Sequence, residues 1–338
     1  MAGSKASAAP VAVNAPARSR ARAAPVLIVL VLLALCAAPS VLEVYQVTLL
    51  IPFFAYAIIL LGFNLLFGYG GQLSFGHAMF VAIGAYAAAT VAGVWGLASF
   101  ELMLAGAVLA GVLMALPIAL IASRFTGIFF GMLTLSFGML FHSFLNKFYN
   151  LTGGDSGMRV PRPSLLGQPL AELDKTAFLV GPFYFYCLAL TVLLAFVMWR
   201  VVRSPFGLHL AASRDNERKA AYVGVKVRAV RAVAFLFSAA YGAVGGVILG
   251  VNTGLADPEL AYWTHSGHLV FMAVLGGYQE FLGPIVGALA FIQLQDHLMS
   301  ATQYWRFFLG LMLAILVIAL PLGLLGTARK LLQRRRRQ

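Results

Sequence analysis

The sequence predicts an all-α fold: a polytopic membrane protein of about ten transmembrane helices, some of them short or broken. Three observations carry this. Of 338 residues, 61% are hydrophobic and 10% charged, with a mean hydropathy of +0.90; soluble domains carry roughly a quarter charged residues. The apolar residues fall in runs of the length a bilayer demands, about 20 residues. The formal charge of +13 gathers at Arg18–Arg22, across Arg200–Arg231 and at Arg334–Arg337, flanking apolar runs as cytoplasmic loops do under the positive-inside rule. No stacking aromatics are interleaved with these arginines, so the basicity reads as orientation and not as a nucleic-acid strip, with anionic membrane lipid as a secondary contact.

Residues 1–24, rich in Ala, Ser, Pro and Arg without apolar periodicity, read as a disordered basic cytoplasmic tail. The membrane domain is expected over 25–328, and a second basic tail over 329–338. The first span, about 26–42, also has the outline of a secretory signal, but a retained helix is the preferred reading. Cys36 lies in this run and Cys187 in a later one, which argues against a disulfide. Further spans are expected near 47–67, 74–97, 102–122, 127–145 and 178–199. Six crossings from an inside start return the chain to the cytoplasm at Arg200, where the cluster through Arg231 outweighs Asp215 and Glu217.

A seventh span covers about 231–253. For the C-terminal arginines to end inside as well, Trp263 to Leu298 must be two segments, followed by a last span near 305–325. The break is legible as Gly276-Gly277, Tyr278-Gln279-Glu280, then Gly283-Pro284: a helix stop followed by a helix start. Both termini are therefore expected to be cytoplasmic. Short or interrupted spans of this kind occur in transporters, where irregular backbone at depth is tolerated if it is buried in protein or lines a cavity.

The most distinctive run is GFNLLFGYGGQLSFGHAMFVAIGAYAA, Gly62–Ala88. Its glycines suit close helix packing and a tight turn; alternatively they mark unwound backbone beside a path, with Asn64, Gly70, Gly71, Gln72, Ser74 and His77 as substrate-path or gate residues. The topology puts the turn Gly68–Gly71 at the cytoplasmic end of the second span. His77 has no second His or Cys at ligand spacing, so no metal is expected, and a hydrogen-bonded packing role is preferred.

In order and spacing this run resembles the inner-membrane permeases of branched-chain amino acid ABC importers, in particular the LivM type. GIFFGMLTLSFGML (Gly127–Leu140), TGGDSGM (Thr152–Met158), SPFGLHLAASRDNERKAAYVGVKV (Ser204–Val227), Pro258, Ser266 and LGG…GPIVGA (Leu275–Ala288) extend the resemblance in the same order. It implies a transport permease of the bacterial inner membrane, paired with a second, LivH-type permease or with itself. Two ATP-binding subunits would use ATP and Mg, and an extracytoplasmic solute-binding protein would deliver the substrate. Branched-chain amino acids are the implied solutes, with urea, amides or aromatic acids as alternatives.

Within the loop 200–231, Ser204-Pro205 reads as a cap and first turn, and Asp215 or Asn216 as the cap of a second short helix stopping at Gly224. The resemblance makes this loop the ATPase-coupling surface, with Gly207, Arg214, Glu217 and Gly224 contributing. A solvated orienting loop is the alternative. Asp155, in a glycine-rich external loop, is expected either to contact the binding protein or to form a side-chain turn. Two departures from the family pattern are Ala221, where a glutamate is usual, and Tyr278–Phe281, where relatives commonly read LGTL; Glu280 is expected at the cytoplasmic surface. No phosphate loop and no catalytic triad or carboxylate pair is readable, so no catalytic residue or bound cofactor is assigned. An ion-coupled transporter is a weaker alternative, since the spans lack the usual carboxylate. An enzyme or assembly factor, resting on His77 and Asp155, is weaker still.

Overall fold

The computed structural model describes residues 20–168, 173–320 and 322–335. Helix α1 (Arg20–Val41) forms a unit of its own with Leu42 and Glu43; it begins at Arg20, inside the stretch read as a tail, and residues 1–19 lie outside the described residues. The second unit starts at Val44. Its helices are α2 (Val44–Asn64), α3 (Ala78–Ala89), α4 (Phe100–Ala122), α5 (Ile128–Lys147), α6 (Tyr149–Thr152), α7 (Lys175–Phe178), α8 (Tyr184–Arg203), α9 (Pro205–Asp215) and α10 (Glu217–Tyr222). They continue with α11 (Val227–Thr253), α12 (Trp263–Gly276), α13 (Gly283–Ala301), α14 (Trp305–Ala319) and α15 (Gly323–Arg335). The two-residue strands β1 (Met158–Arg159) and β2 (Leu255–Ala256) pair antiparallel and clip two loops together. Among the described residues, six helical stretches are long and apolar enough to cross a membrane: Val44–Tyr69, Phe100–Ala122, Ile128–Lys147, Lys175–Arg203, Val227–Thr253 and Trp305–Lys330. The protein is thus all-α and polytopic.

Burial sorts the helices. Most of α2 and α11 is enclosed, while α4, α5, α8 and α14 turn most of their apolar surface outward, as lipid-facing helices do. Helix α11 is the axis of the unit and packs on α2, α3 and α4. Small residues permit that approach: a Cβ added at Gly246 would run into the Val81 carbonyl of α3, so glycine is required for the contact.

The structure corrects three boundaries. The third span was expected to be helical from about 74, yet helix α3 starts only at Ala78, and Gly71–Gly76 is non-helical. The last span, expected near 305–325, ends as α14 at Ala319, and a new helix, α15, begins at Gly323. The tail expected from 329 accordingly begins inside α15. The break at 277–282 forms as expected: Gly277 takes φ 103°, which favours glycine, and Pro284 sits in the first turn of α13.

The non-helical stretch runs through the middle of the protein. Leu73 and Phe75 lie against Gly131 of α5, and a Cβ on Gly138 would come within 3.0 Å of the Gly76 Cα. Gly138 is about 15 Å along α5 at 1.5 Å per residue, half the hydrocarbon thickness. His77 meets Ser238 and Gly242 in the centre of α11. Helix α3 therefore starts deep in the protein. Its first amide, Ala78 N–H, donates to Ser266 Oγ at 2.9 Å, which brings the first turn of α12 to the same depth.

Replacing Gly246 by valine is expected to lower the thermal midpoint of the purified protein by about 5 °C or more through overpacking. Gly310→Val, where an added Cβ meets nothing within 4 Å, should leave the midpoint unchanged. Equal midpoints for the two variants would contradict the α3–α11 contact.

Candidate functional site

The candidate residues fall into two connected layers. The upper layer is a buried polar run. Asn64 closes α2, and the chain then widens into a π-helical turn, Leu65–Tyr69, a form frequent at functional positions. Asn64 and Gln72 are each 2% exposed, Ser74 and His77 fully buried. His77 Nε2 lies 3.3 Å from Ser238 Oγ, and its ring stands edge-on to Phe63 and Phe80 at centroid separations of 5.3 and 5.5 Å. That is a packed, hydrogen-bonded histidine. Gln72 Nε2 reaches the Phe125 carbonyl at 3.4 Å. Asn64 Oδ1, Gln72 Oε1, Ser74 Oγ and His77 Nδ1 nevertheless have no protein partner. Each such orphan costs about 1–3 kcal/mol when buried, and their concentration in one 14-residue run, Asn64–His77, is unlike the rest of the interior.

The lower layer is the helix pair α9–α10. Helix α9 opens on Pro205 as expected, but the Ser204 hydroxyl turns back to the Val201 carbonyl at 2.7 Å and does not cap the helix. Asn216 is the cap of α10, its Oδ1 accepting from Lys219 N at 3.0 Å. Gly207 is pressed on the Val202 carbonyl, where a Cβ has no room, and Gly224 ends the second helix with φ 90°. Leu208, Tyr222 and Val223 are 67%, 88% and 80% exposed, so this charged hairpin presents bare apolar side chains on its outer side.

Arg214 joins the layers. Its Nη1 donates to the Gly68 carbonyl at 2.7 Å, while Nε and Nη2 hold Asp215. The carbonyls near the end of a helix lack intrahelical donors, and the guanidinium supplies one. Gly71, with φ 66°, lies under the Arg214 side chain, where an added Cβ would sit 2.6 Å from Cγ; Gly70 faces Leu210. Glu217 pairs with Arg231 at 3.1 Å, and Arg231 is 5% exposed with Nε unpartnered. A cavity of about 670 Å³ opens beside this contact, lined by Gly70, Gly71, Gln72, Arg214, Glu217 and Arg231.

Other residues stand apart or were not anticipated. Asp155 is exposed and makes no side-chain bond among the described residues; positive φ angles at Gly153, Gly154 and Gly157 shape its loop, so the side-chain turn is not formed. Glu280 pairs with Arg329 on α15. Glu101, absent from the sequence reading, accepts from Ser99 Oγ at 2.6 Å, Leu166 N at 3.0 Å and Tyr186 OH at 3.2 Å, tying the 157–168 loop to α4 and α8; only its place as the one carboxylate at the head of an apolar run signalled this. Tyr278 packs on Phe67 with centroids 4.7 Å apart and ring planes tilted by 34°, and brings its carbonyl against Gly68. No group of three metal-ligating side chains occurs among the described residues.

Known proteins place this architecture. Residues 45–320 match the family described as branched-chain amino acid transport system, permease component. The permease LivM of Escherichia coli K12 is 28% identical over 298 residues, covering 81% of this chain and 68% of its own length. LivH of Salmonella typhimurium is 24% identical over 294 residues, 80% of this chain and 91% of its own. The autoinducer 2 import permease LsrC of Escherichia coli HS is 27% identical over 139 residues, 37% of this chain and 40% of its own. No solved structure matches the chain. The chain, a multi-pass membrane permease with a π turn braced by a helical hairpin, belongs to the branched-chain amino acid transport permease family.

Proposed function

We propose that the chain forms half of the membrane domain of a bacterial inner-membrane ATP-binding cassette importer for branched-chain amino acids. The observation that carries this is the bond from Arg214 to the Gly68 carbonyl, which ties a partner-facing hairpin to the buried polar run. In this reading ten crossings leave both termini cytoplasmic. The membrane domain spans 25–328 between two basic tails, with 200–231 as the coupling loop. A LivH-type permease completes the dimer, two separate subunits bind ATP and Mg, and a solute-binding protein docks outside near Asp155. The share of the ion pair Glu280–Arg329 between the α12–α13 break and α15 supports putting that break on the same side as the C-terminal arginines.

The mechanism follows from the two layers. Leu208, Tyr222 and Val223, bare on the hairpin, seat in the ATPase, and nucleotide-driven movement reaches α9. Arg214 transmits it to the π turn. The 670 Å³ cavity beside that contact leaves room for α10 to shift toward Gln72, and closing it would offer partners to Gln72 Oε1 and Arg231 Nε. Asn64, Gln72 and Ser74 line the path beside the break in the third span, while His77 positions that break from α11. The substrate is carried over from the relatives' names, since path polarity alone does not select it.

Uptake into proteoliposomes should stop when the partner ATPases carry a hydrolysis-dead substitution; persistence driven by an ion gradient would overturn the importer reading. Tyr222→Asp should abolish copurification of the ATPases, whereas Arg214→Ala should keep them bound and lower uptake about tenfold or more, the consequence of losing one charge-assisted hydrogen bond. Glu217→Gln is expected to destabilise by about 1–3 kcal/mol by leaving buried Arg231 unpaired. Adding Arg231→Met to it should recover part of that loss in denaturation measurements, and a further loss would contradict the pairing.

A further inference from the structure

The C-terminal end carries a feature that neither transport path nor ATPase coupling uses. Helix α15 is seated on the α12–α13 break: Gly323 takes φ 70° against Gly277, and a Cβ on Gly277 would lie 2.7 Å from the Leu322 carbonyl. Leu324 and Ala328 share a side of the helix, and the sequence continues the same spacing with Leu331 and Leu332, the i, i+4, i+7, i+8 pattern of an amphipathic helix. Arg329 and Lys330 are exposed off that side. The sequence then adds Arg334, Arg335, Arg336 and Arg337, and no Asp or Glu appears after Asp296. Within the break, Glu280 meets Arg329, with side chains 29% and 57% exposed; a pair so open to solvent is weak.

A basic amphipathic helix directly after an apolar span has one chemically matched neighbour, the headgroup layer beside it. We propose that α15 and the arginines after it form a binding surface for anionic phospholipid headgroups, and that lipid at Arg329 competes for its pairing with Glu280, so lipid charge acts on the Gly277–Leu282 break. Each cation near an anionic surface contributes roughly fivefold in affinity. Four arginines beyond Gln333 are therefore enough to enrich anionic lipid strongly without any pocket.

The test uses the full chain in nanodiscs of phosphatidylcholine containing a minority of phosphatidylglycerol, with protein-bound lipid counted by native mass spectrometry. The ratio of bound phosphatidylglycerol to bound phosphatidylcholine should exceed the bulk ratio at least about tenfold. The enrichment should collapse near 0.5 M KCl, where screening shortens to about 4 Å. It should also be lost in the quadruple variant R334Q/R335Q/R336Q/R337Q and survive excess inorganic phosphate, which separates a lipid headgroup from a free anion. No enrichment in the unaltered chain, retention in the quadruple variant, or displacement by phosphate would each overturn the surface. The salt titration of the unaltered chain decides the matter even if the variant fails to fold.

Glu280→Gln should keep the lipid enrichment and abolish the dependence of uptake on phosphatidylglycerol content. This last arm alone rests on the importer reading: unchanged lipid dependence in Glu280→Gln would overturn the competition at Arg329, whereas absence of any uptake in the unaltered complex would count against the importer and leave the lipid count standing.

Discussion

The rest of the structure depends on how the non-helical backbone of Gly71–Gly76 is kept out of lipid. Every N–H and C=O at that depth must be satisfied or enclosed, because hydrocarbon offers no partner. The solution is steric before it is polar. Gly76 is packed on α5 at Thr134 and Gly138, and α11 lies on the other side of His77 with Ser238 and Gly242. Side chains any larger would hold the helices apart and admit lipid or water to the break. Ser266 then caps the restarting helix α3 through Ala78 N–H, so one broken element supplies the missing partner of another.

Much of this organisation was legible in the sequence, for reasons that differ from residue to residue. The break at Gly276–Pro284 was readable because stop and start signals are local: a positive φ needs glycine at 277, and proline suits the first turn of α13. Asn216 as a cap and Gly224 as a stop follow from the same short-range chemistry. The start of α3 was not readable, since Ser74-Phe75-Gly76-His77 continues an apolar run and hydropathy registers composition without backbone conformation. What unwinds those residues is the approach of α5 and α11, which are distant in sequence. Arg214 was expected to contribute to ATPase coupling; what the sequence could not show is that part of its guanidinium turns inward, to a carbonyl exposed by a π turn that no propensity marks.

The orphaned acceptors follow from the same constraint. Asn64 Oδ1, Gln72 Oε1 and Ser74 Oγ sit in or next to backbone that departs from the α-helix, where side chains cannot fall back on the carbonyl four residues earlier. Thr134 shows the contrast: on an intact helix its hydroxyl bonds to the Phe130 and Gly131 carbonyls at 3.0 and 2.9 Å and is satisfied wherever the helix moves. Polar groups at a break have no such self-sufficiency. They are the groups whose partners change when the break changes shape.

That difference makes the break mechanically useful. A straight helix transmits displacement along its axis as a rigid rod, and its hydrogen bonds are the same before and after. At the α2–α3 junction the chain has two attachments of unlike strength. The Arg214 bond to the Gly68 carbonyl is charge-assisted at 2.7 Å, whereas the Gln72 side chain makes a 3.4 Å contact to the Phe125 carbonyl; the Gln72 backbone is itself tied to the π turn, its N–H donating to the Leu66 carbonyl at 3.0 Å. In the proposed cycle a pull on α9 would carry the π turn and the Gln72 backbone together, and the weaker side-chain contact to Phe125 would yield first. Since Tyr278 packs on Phe67 of the same turn, the second break would move with the first. In the proposed importer the two interrupted spans would thus act as one coupled element, with α11, packed on α2, α3 and α4, as the axis against which both are displaced.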